Sequence, residues 1–127
     1  MFLKRCSVKN LSIALSLSII VSLSVQAAQN NNLQSPERGV LCDRYMCASG
    51  TEGISQVLTE KYLGKKVAAR LFAQGDFDRT EFTFSNGIFC DTKEQLCRGD
   101  RYYGADGKRS GTVSDKYTKL LFGHHGN

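Results

Sequence analysis

The chain has 127 residues, with 17 basic and 12 acidic side chains, a formal net charge of +5, five cysteines, one proline and no tryptophan. That length holds one domain and excludes two once an export segment is set aside. Three of the basic residues, Lys4, Arg5 and Lys9, lie in that segment; 14 against 12 then remain, a net charge of +2 that excludes the footprint of a nucleic-acid or membrane-surface binder.

Lys4, Arg5 and Lys9 precede an uncharged run at 11–25 rich in Leu, Ile, Val and Ser, and Val25-Gln26-Ala27 supplies the small residues a signal peptidase reads. The run is shorter than the roughly 20 residues of a spanning helix. Cleavage is therefore expected after Ala27, with Cys6 leaving in the signal (1–27). An uncleaved anchor is the rival reading, weakened by the serines and by the polar stretch that follows. The expected location is the periplasm, or outside the cell, with no stable membrane insertion and no nucleic-acid partner.

Residues 28–38 are polar and read as a flexible leader, and 39–123 as the domain. Val40, Leu41 and Cys42 suggest a strand, residues 43–46 a reversal, Cys47 and Ala48 a return, and 49–53 a turn. Residues 54–58 read as a further strand. A single main helix follows, opened by Thr59 as cap with Glu60 at the positive end of the dipole. Its apolar stripe is Leu63, Val67 and Leu71, its terminator Gly75, and Gly64 weakens its middle. Residues 81–85 and 88–91 flank Asn86-Gly87, the dipeptide of a type I′ hairpin turn. That register pairs Phe84 with Phe89 and Thr83 with Cys90, which places Phe82, Phe84 and Phe89 on one face. Strand continues at Cys97, Arg98 and 101–103, turns at 105–108 and returns at Thr112 and Val113. A short helix from Asp115 to Phe122, ended by Gly123, closes the domain before a tail at 124–127.

Two echoes run through this order. Gly-Val-Leu-Cys-Asp at 39–43 is followed by Cys47, and Gly-Ile-Phe-Cys-Asp at 87–91 by Cys97; Thr59-Glu60-Lys61-Tyr62 resembles Ser114-Asp115-Lys116-Tyr117. They raise an internal duplication of about 50 residues, against the alternative that a hydroxyl-acid cap is simply a common helix opening. The fold class expected is α+β: short antiparallel hairpins stapled by disulfides, one main helix, a short C-terminal helix and two pseudo-repeats.

Cys42, Cys47, Cys90 and Cys97 allow three pairings. Local bridges Cys42–Cys47 and Cys90–Cys97 are favoured, each across a strand reversal, over crossed bridges between the halves. A four-cysteine zinc site would need tighter spacing and reduced thiols. A redox pair would need two intervening residues at a helix start. No metal or cofactor is expected.

The chain carries no catalytic constellation in sequence. His124 and His125 sit in the tail, where no frame holds a base. Asp76, Asp78 and Glu81 could form a carboxylate cluster but follow the helix terminator, and Asp100 to Asp106 lacks the oxygen ligands of a calcium loop. Asp-Arg-Tyr occurs at 43–45 and 100–102, so Arg44, Tyr45, Arg101 and Tyr102 are the candidate binding surface, arginine and tyrosine being the usual anchors of recognition. The competing reading is a local Asp–Arg pair beside a half-buried tyrosine.

Gly-Val-Leu-Cys-Asp at 39–43, Leu-Thr-Glu-Lys-Tyr-Leu-Gly at 58–64, Phe-Thr-Phe-Ser-Asn-Gly-Ile-Phe-Cys-Asp at 82–91, Asp-Arg-Tyr at 100–102 and Ala-Asp-Gly-Lys-Arg at 105–109 together resemble the YcgJ family, also called Fels-1 prophage protein-like. The resemblance implies a small exported domain, brings no catalytic residue with it, and by its prophage association suggests a role at the envelope boundary. The expected function is thus a non-enzymatic periplasmic binding protein with a protein or envelope partner. Alternatives are an inhibitor of a cell-wall lytic enzyme, inserting Lys108-Arg109-Ser110-Gly111 into an acidic cleft, an accessory envelope protein, or an enzyme using Asp76, Asp78 or Glu81.

Overall fold

A computed structural model describes residues 32–124. The signal segment, its cleavage point, the start of the leader and His125 lie outside the described residues. β1 (Val40–Cys42), β2 (Cys47–Ser49) and β3 (Gly53–Ile54) form one antiparallel sheet in that order. After α1 (Gln56–Leu63) and α2 (Lys65–Phe72), β4 (Glu81–Thr83), β5 (Phe89–Asp91) and β6 (Leu96–Arg98) form a second antiparallel sheet, and α3 (Asp115–Phe122) closes the chain. The class is α+β, as the sequence suggests.

The duplication is visible in the hydrogen bonds. In the first unit the Cys47 carbonyl accepts from the Ser55 amide at 2.9 Å; in the second the Cys97 carbonyl accepts from the Ser114 amide at 2.8 Å. Ser55 caps α1 by accepting from the Leu58 amide, and Ser114 caps α3 by accepting from the Tyr117 amide. One turn into each helix, a fully buried threonine hydroxyl accepts from the cysteine amide: Cys47 to Thr59 at 3.0 Å, Cys97 to Thr118 at 2.9 Å. Each helix has eight residues and ends at a glycine, Gly64 or Gly123. The register differs from the sequence expectation, since Ser55 and not Thr59 is the counterpart of Ser114. Thr59 is inside the helix, and the expected strand at 54–58 gives way to α1 directly after Ile54. A hydroxyl side chain serves as cap or as mid-helix acceptor depending on which backbone donors face it, and only the sheet supplies that information.

The expected single helix is two. Gly64, at φ +96° and ψ 164°, ends α1 and opens α2. A side chain rarely adopts that backbone conformation, so glycine makes the break possible. α2 then ends at Ala73, before Gly75.

The hairpin also differs by one residue. Thr83 faces Phe89 and Phe82 faces Cys90, while Phe84 and Ile88 close a three-residue loop: the Phe84 amide donates to the Ile88 carbonyl at 2.8 Å and the Gly87 amide to the Phe84 carbonyl at 2.9 Å. Gly87 has positive φ but Asn86 does not, so the type I′ turn, which needs both, is excluded. A one-residue slip exchanges faces. Phe82, Phe84 and Cys90 therefore point into the main core with Leu41, Ala48, Ile54, Cys97, Tyr117 and Leu121, and Phe89 points to the opposite face.

The leader is partly structural. Leu33 is buried in the main core, Gln34 pairs with Cys42 on the edge of β1, and Glu37 binds Lys61 at 3.2 Å and the Tyr62 hydroxyl. The ordered domain therefore begins before Gly39, because one apolar residue in the polar stretch completes the core and the backbone beside it completes the sheet edge.

Candidate functional site

The cysteines occupy directly facing strand positions and form two disulfides, Cys42–Cys47 and Cys90–Cys97, with Cα separations of 4.1 and 4.0 Å. The aspartate after each first cysteine ties the reversal. Asp43 accepts from the Tyr45 amide at 2.7 Å and the Met46 amide at 2.9 Å, and its other oxygen accepts from Ser85 at 2.7 Å in the β4–β5 loop. Asp91 accepts from Lys93 at 2.8 Å in the same manner. The repeated Cys-Asp motif is thus a covalent staple followed by an aspartate-capped turn.

The first Asp-Arg-Tyr motif lies on that stapled turn. Arg44 is exposed and Tyr45 is 57% exposed. They border an open cleft of about 260 Å³ whose other wall is α2 and its exit, Val67, Arg70, Leu71 and Gln74. The Asp43 carboxylate is engaged by backbone amides rather than by Arg44, so the expected local Asp–Arg pair does not form.

The second motif lies on an excursion between Arg98 and Val113, which pair with each other and bracket it. Asp100 accepts from the Tyr102 amide at 2.9 Å, the Arg101 guanidinium lies 5.7 Å from the Tyr102 ring centroid, and Tyr102 is 62% exposed. Tyr103 and Arg109 face each other across a turn closed from Gly104 to Lys108. This hairpin covers the outer face of the second sheet. Arg109 is the fastener: its guanidinium is 4.3 Å from the Phe89 ring and 4.1 Å from the Tyr103 ring, it pairs with Glu81 at 3.5 Å, and it donates to the Arg101 carbonyl at 2.6 Å. Two of the four residues of Lys108-Arg109-Ser110-Gly111 are therefore committed to the fold, while Lys108 and Ser110 are exposed. Arg109 is only 10% exposed and Gly111 is buried.

The two Asp-Arg-Tyr motifs are thus carried by different devices, one on a stapled turn beside α2 and one on the hairpin, and Arg101 and Tyr102 do not border the Arg44 cleft. A second, polar cleft of about 490 Å³ lies under the hairpin, lined in part by Glu81, Asp91, Glu94, Arg98 and Arg109. Its charges are already matched in part, with Arg98 on Glu94 and Arg109 on Glu81.

The carboxylates Asp78 and Glu81 play separate parts, and Asp76 is exposed with no ion pair among the described residues. Asp78 is exposed and accepts from the Thr80 hydroxyl at 2.7 Å and its amide at 2.8 Å, bonds that hold its pKa below the ordinary aspartate value. Glu81 is turned to Arg109. A general acid needs a raised pKa, the opposite of what surrounds Asp78. Among the described residues no group of three or more His, Cys, Asp or Glu side chains is placed to hold a metal ion. His124 lies at the end of α3 with its ring 6.3 Å from that of Phe122. No helix of the described residues is long and apolar enough to cross a membrane.

Arg70, which borders the first cleft, and Thr118, which accepts from the Cys97 amide, are not singled out by sequence. Ser55 and Thr59, like Ser114 and Thr118, are four residues apart, a spacing that carries the duplication better than the cap-acid echo does. Arg70 carries no such mark, since only the fold brings it opposite Arg44.

Residues 33–122 match the family described as YcgJ protein. The chain is 57% identical over 90 residues, 71% of its own length and 73% of the relative's, to "Uncharacterized protein YcgJ" of Escherichia coli (strain K12). No solved structure matches. The matched span takes in Leu33, both stapled hairpins and α3, which is the whole duplicated frame, and the chain belongs to the YcgJ family.

Proposed function

We propose that this is an exported, non-enzymatic binding protein of the periplasm whose recognition surface comprises Arg44 and Tyr45 on the β1–β2 turn and Arg101 and Tyr102 on the hairpin. One observation carries the reading: both motifs present a tyrosine more than half exposed beside an arginine that forms no ion pair among the described residues, on backbone fixed by an aspartate. Tyrosine supplies a large, rigid contact area that loses little conformational entropy, and arginine supplies a planar set of donors; both residue types are enriched among the anchors of interfaces. Two disulfides support an oxidising compartment, in keeping with the signal-like N-terminus.

The test is capture from periplasmic extract by wild type, Arg44→Ala and Arg101→Ala. A partner retained by wild type and weakened in at least one variant is the expected result; equal recovery by all three, or no partner, overturns the reading. The inhibitor alternative is left with Lys108 as the exposed cation of its loop, so it predicts that Lys108→Ala alone abolishes inhibition of a lytic enzyme.

A further inference from the structure

α2 stands outside the duplicated plan. The first unit ends at Gly64 as the second ends at Gly123, and α2 is added between the units, packed mainly on α1. Its sequence, Lys-Lys-Val-Ala-Ala-Arg-Leu-Phe, carries three cations and no acid. Val67 and Leu71 are half-buried and form the apolar part of the cleft, while Arg70 on the same helix and Arg44 on the turn border it. Both arginines are exposed, and among the described residues neither guanidinium makes an ion pair, hydrogen bond or ring contact. The acids nearest in sequence do not neutralise them: Asp43 is bound to backbone amides, and Asp76 forms no ion pair with either.

We infer that this cleft docks an acidic peptide segment of a protein partner, one apolar or aromatic side chain entering between Tyr45 and the Val67–Leu71 side while flanking carboxylates meet Arg44 and Arg70. The inference rests on the binding role proposed above and names its partner chemistry. Charge complementarity sets the sign of the occupant, because two unpaired guanidinium groups attract carboxylates and repel cations. Shape favours a side chain over a bilayer. About 260 Å³ between Tyr45 and α2 accepts a single large side chain, and Val67 and Leu71 are recessed rather than projecting as a membrane-inserting face would be.

The experiment uses the processed protein and a fluorescent, end-blocked peptide Glu-Asp-Phe-Asp-Glu, with Gln-Asn-Phe-Asn-Gln and Glu-Asp-Ala-Asp-Glu as comparisons, read by anisotropy. The expected result is binding of the first peptide, at least about tenfold weaker binding of the other two, and weakening on raising salt from about 0.05 to about 0.5 M. Arg44→Ala and Arg70→Ala each weaken it roughly threefold to fivefold, and Lys119→Ala, an exposed cation on α3 that borders neither cleft, leaves it unchanged. Among the described residues neither guanidinium has a polar or ring partner, so an unchanged melting midpoint certifies that the variants fold. Equal binding of the neutral peptide, undiminished binding by the double variant, or no binding of any peptide overturns the inference. So does co-sedimentation with phosphatidylglycerol vesicles that needs Arg44 and Arg70 when the peptide does not bind; that result assigns the cleft to a lipid surface. Partner capture that depends on Arg101 but not Arg44 removes this cleft while the broader binding role stands.

Discussion

The two sheet-and-helix units solve one problem in the same way and another differently. In both, the disulfide lies beneath the unit's own helix: Cys42 and Cys47 cluster with Leu58, Tyr62 and Leu63 of α1, and Cys90 and Cys97 share a cluster with Tyr117 and Leu121 of α3. The opposite sheet faces diverge. Leu41 and Ala48 of the first sheet turn into the central core against the second unit, so the domain itself covers them. Phe89 of the second sheet has no such neighbour and is covered instead by the inserted hairpin, with Arg109 laid on its ring. A duplicated unit has two faces to bury but only one sister. The unit whose second face is left over needs added chain, and that addition brought Arg101 and Tyr102 to the surface. α2 is the corresponding addition to the first unit, and it supplies Arg70 to the cleft beside Arg44.

If the frame is truly twofold, equivalent substitutions in it should have equal effects. Thr59→Val and Thr118→Val each remove the acceptor from a buried cysteine amide, which should cost about 2 kcal/mol by urea unfolding, the two values agreeing within about 1 kcal/mol. A large cost at one site only would break the equivalence and make one unit the scaffold of the other.

The covers should behave unequally. Arg109→Ala removes two ring contacts and the Glu81 pair from a side chain that is 10% exposed, and about 1–2 kcal/mol of stability should go with it. Limited proteolysis should then cut within 101–108 before it reaches either stapled turn. Cleavage elsewhere first would mean that the hairpin holds its place without Arg109.

The smallest effect sharpens the comparison at acid pH. Glu37, which ties the leader to α1 in the first unit, has its pKa lowered first by the Tyr62 hydroxyl and then by Lys61. A carboxylate whose folded pKa is depressed contributes stability above its unfolded value, here 4.5, and loses it as pH falls through the lower folded value. The contribution is small because the group is exposed. Hydrogen exchange below pH 4.5 should therefore loosen the amide of Gln34 before those of the second sheet, and Glu37→Gln should abolish that order. Simultaneous loosening would place the acid-sensitive contact elsewhere.

The residues that sequence placed well are those whose role is local. Cys42, Cys47, Cys90 and Cys97 each have a partner within a few residues across a reversal, so spacing alone favours the observed pairs. α3 was legible from Asp115 to Gly123 because its cap, its dipole-matched acid and its terminator are adjacent in the chain. Where a choice depended on what lay opposite, sequence was a poor guide. Asn86-Gly87 suits a two-residue turn, yet Ser85 is held by Asp43 from the other unit and a three-residue loop results. Thr59 resembles a cap in sequence because the donor it serves, the Cys47 amide, is twelve residues away. Of the candidate surface, Arg44 and Tyr45 on a reversal and Arg101 and Tyr102 on a hairpin arm were legible from the turn signals that flank them, but that the two pairs do not border one cleft was not.

By itself the sequence determined the stapled reversals, the α+β class, the family and the existence of an echo between the halves, because each follows from residue types and short spacings. Only the tertiary structure decided that the helical echo runs from Ser55 and Thr59 to Ser114 and Thr118, that Gly64 divides one apparent helix into two, and that Phe89 faces away from the core. It also decided that Arg70 stands across a cleft from Arg44 while Arg109 is spent within the fold. The reason is common to all of these. Periodicity tells which residues share a face, but what the face meets is set by chain that lies far away in sequence.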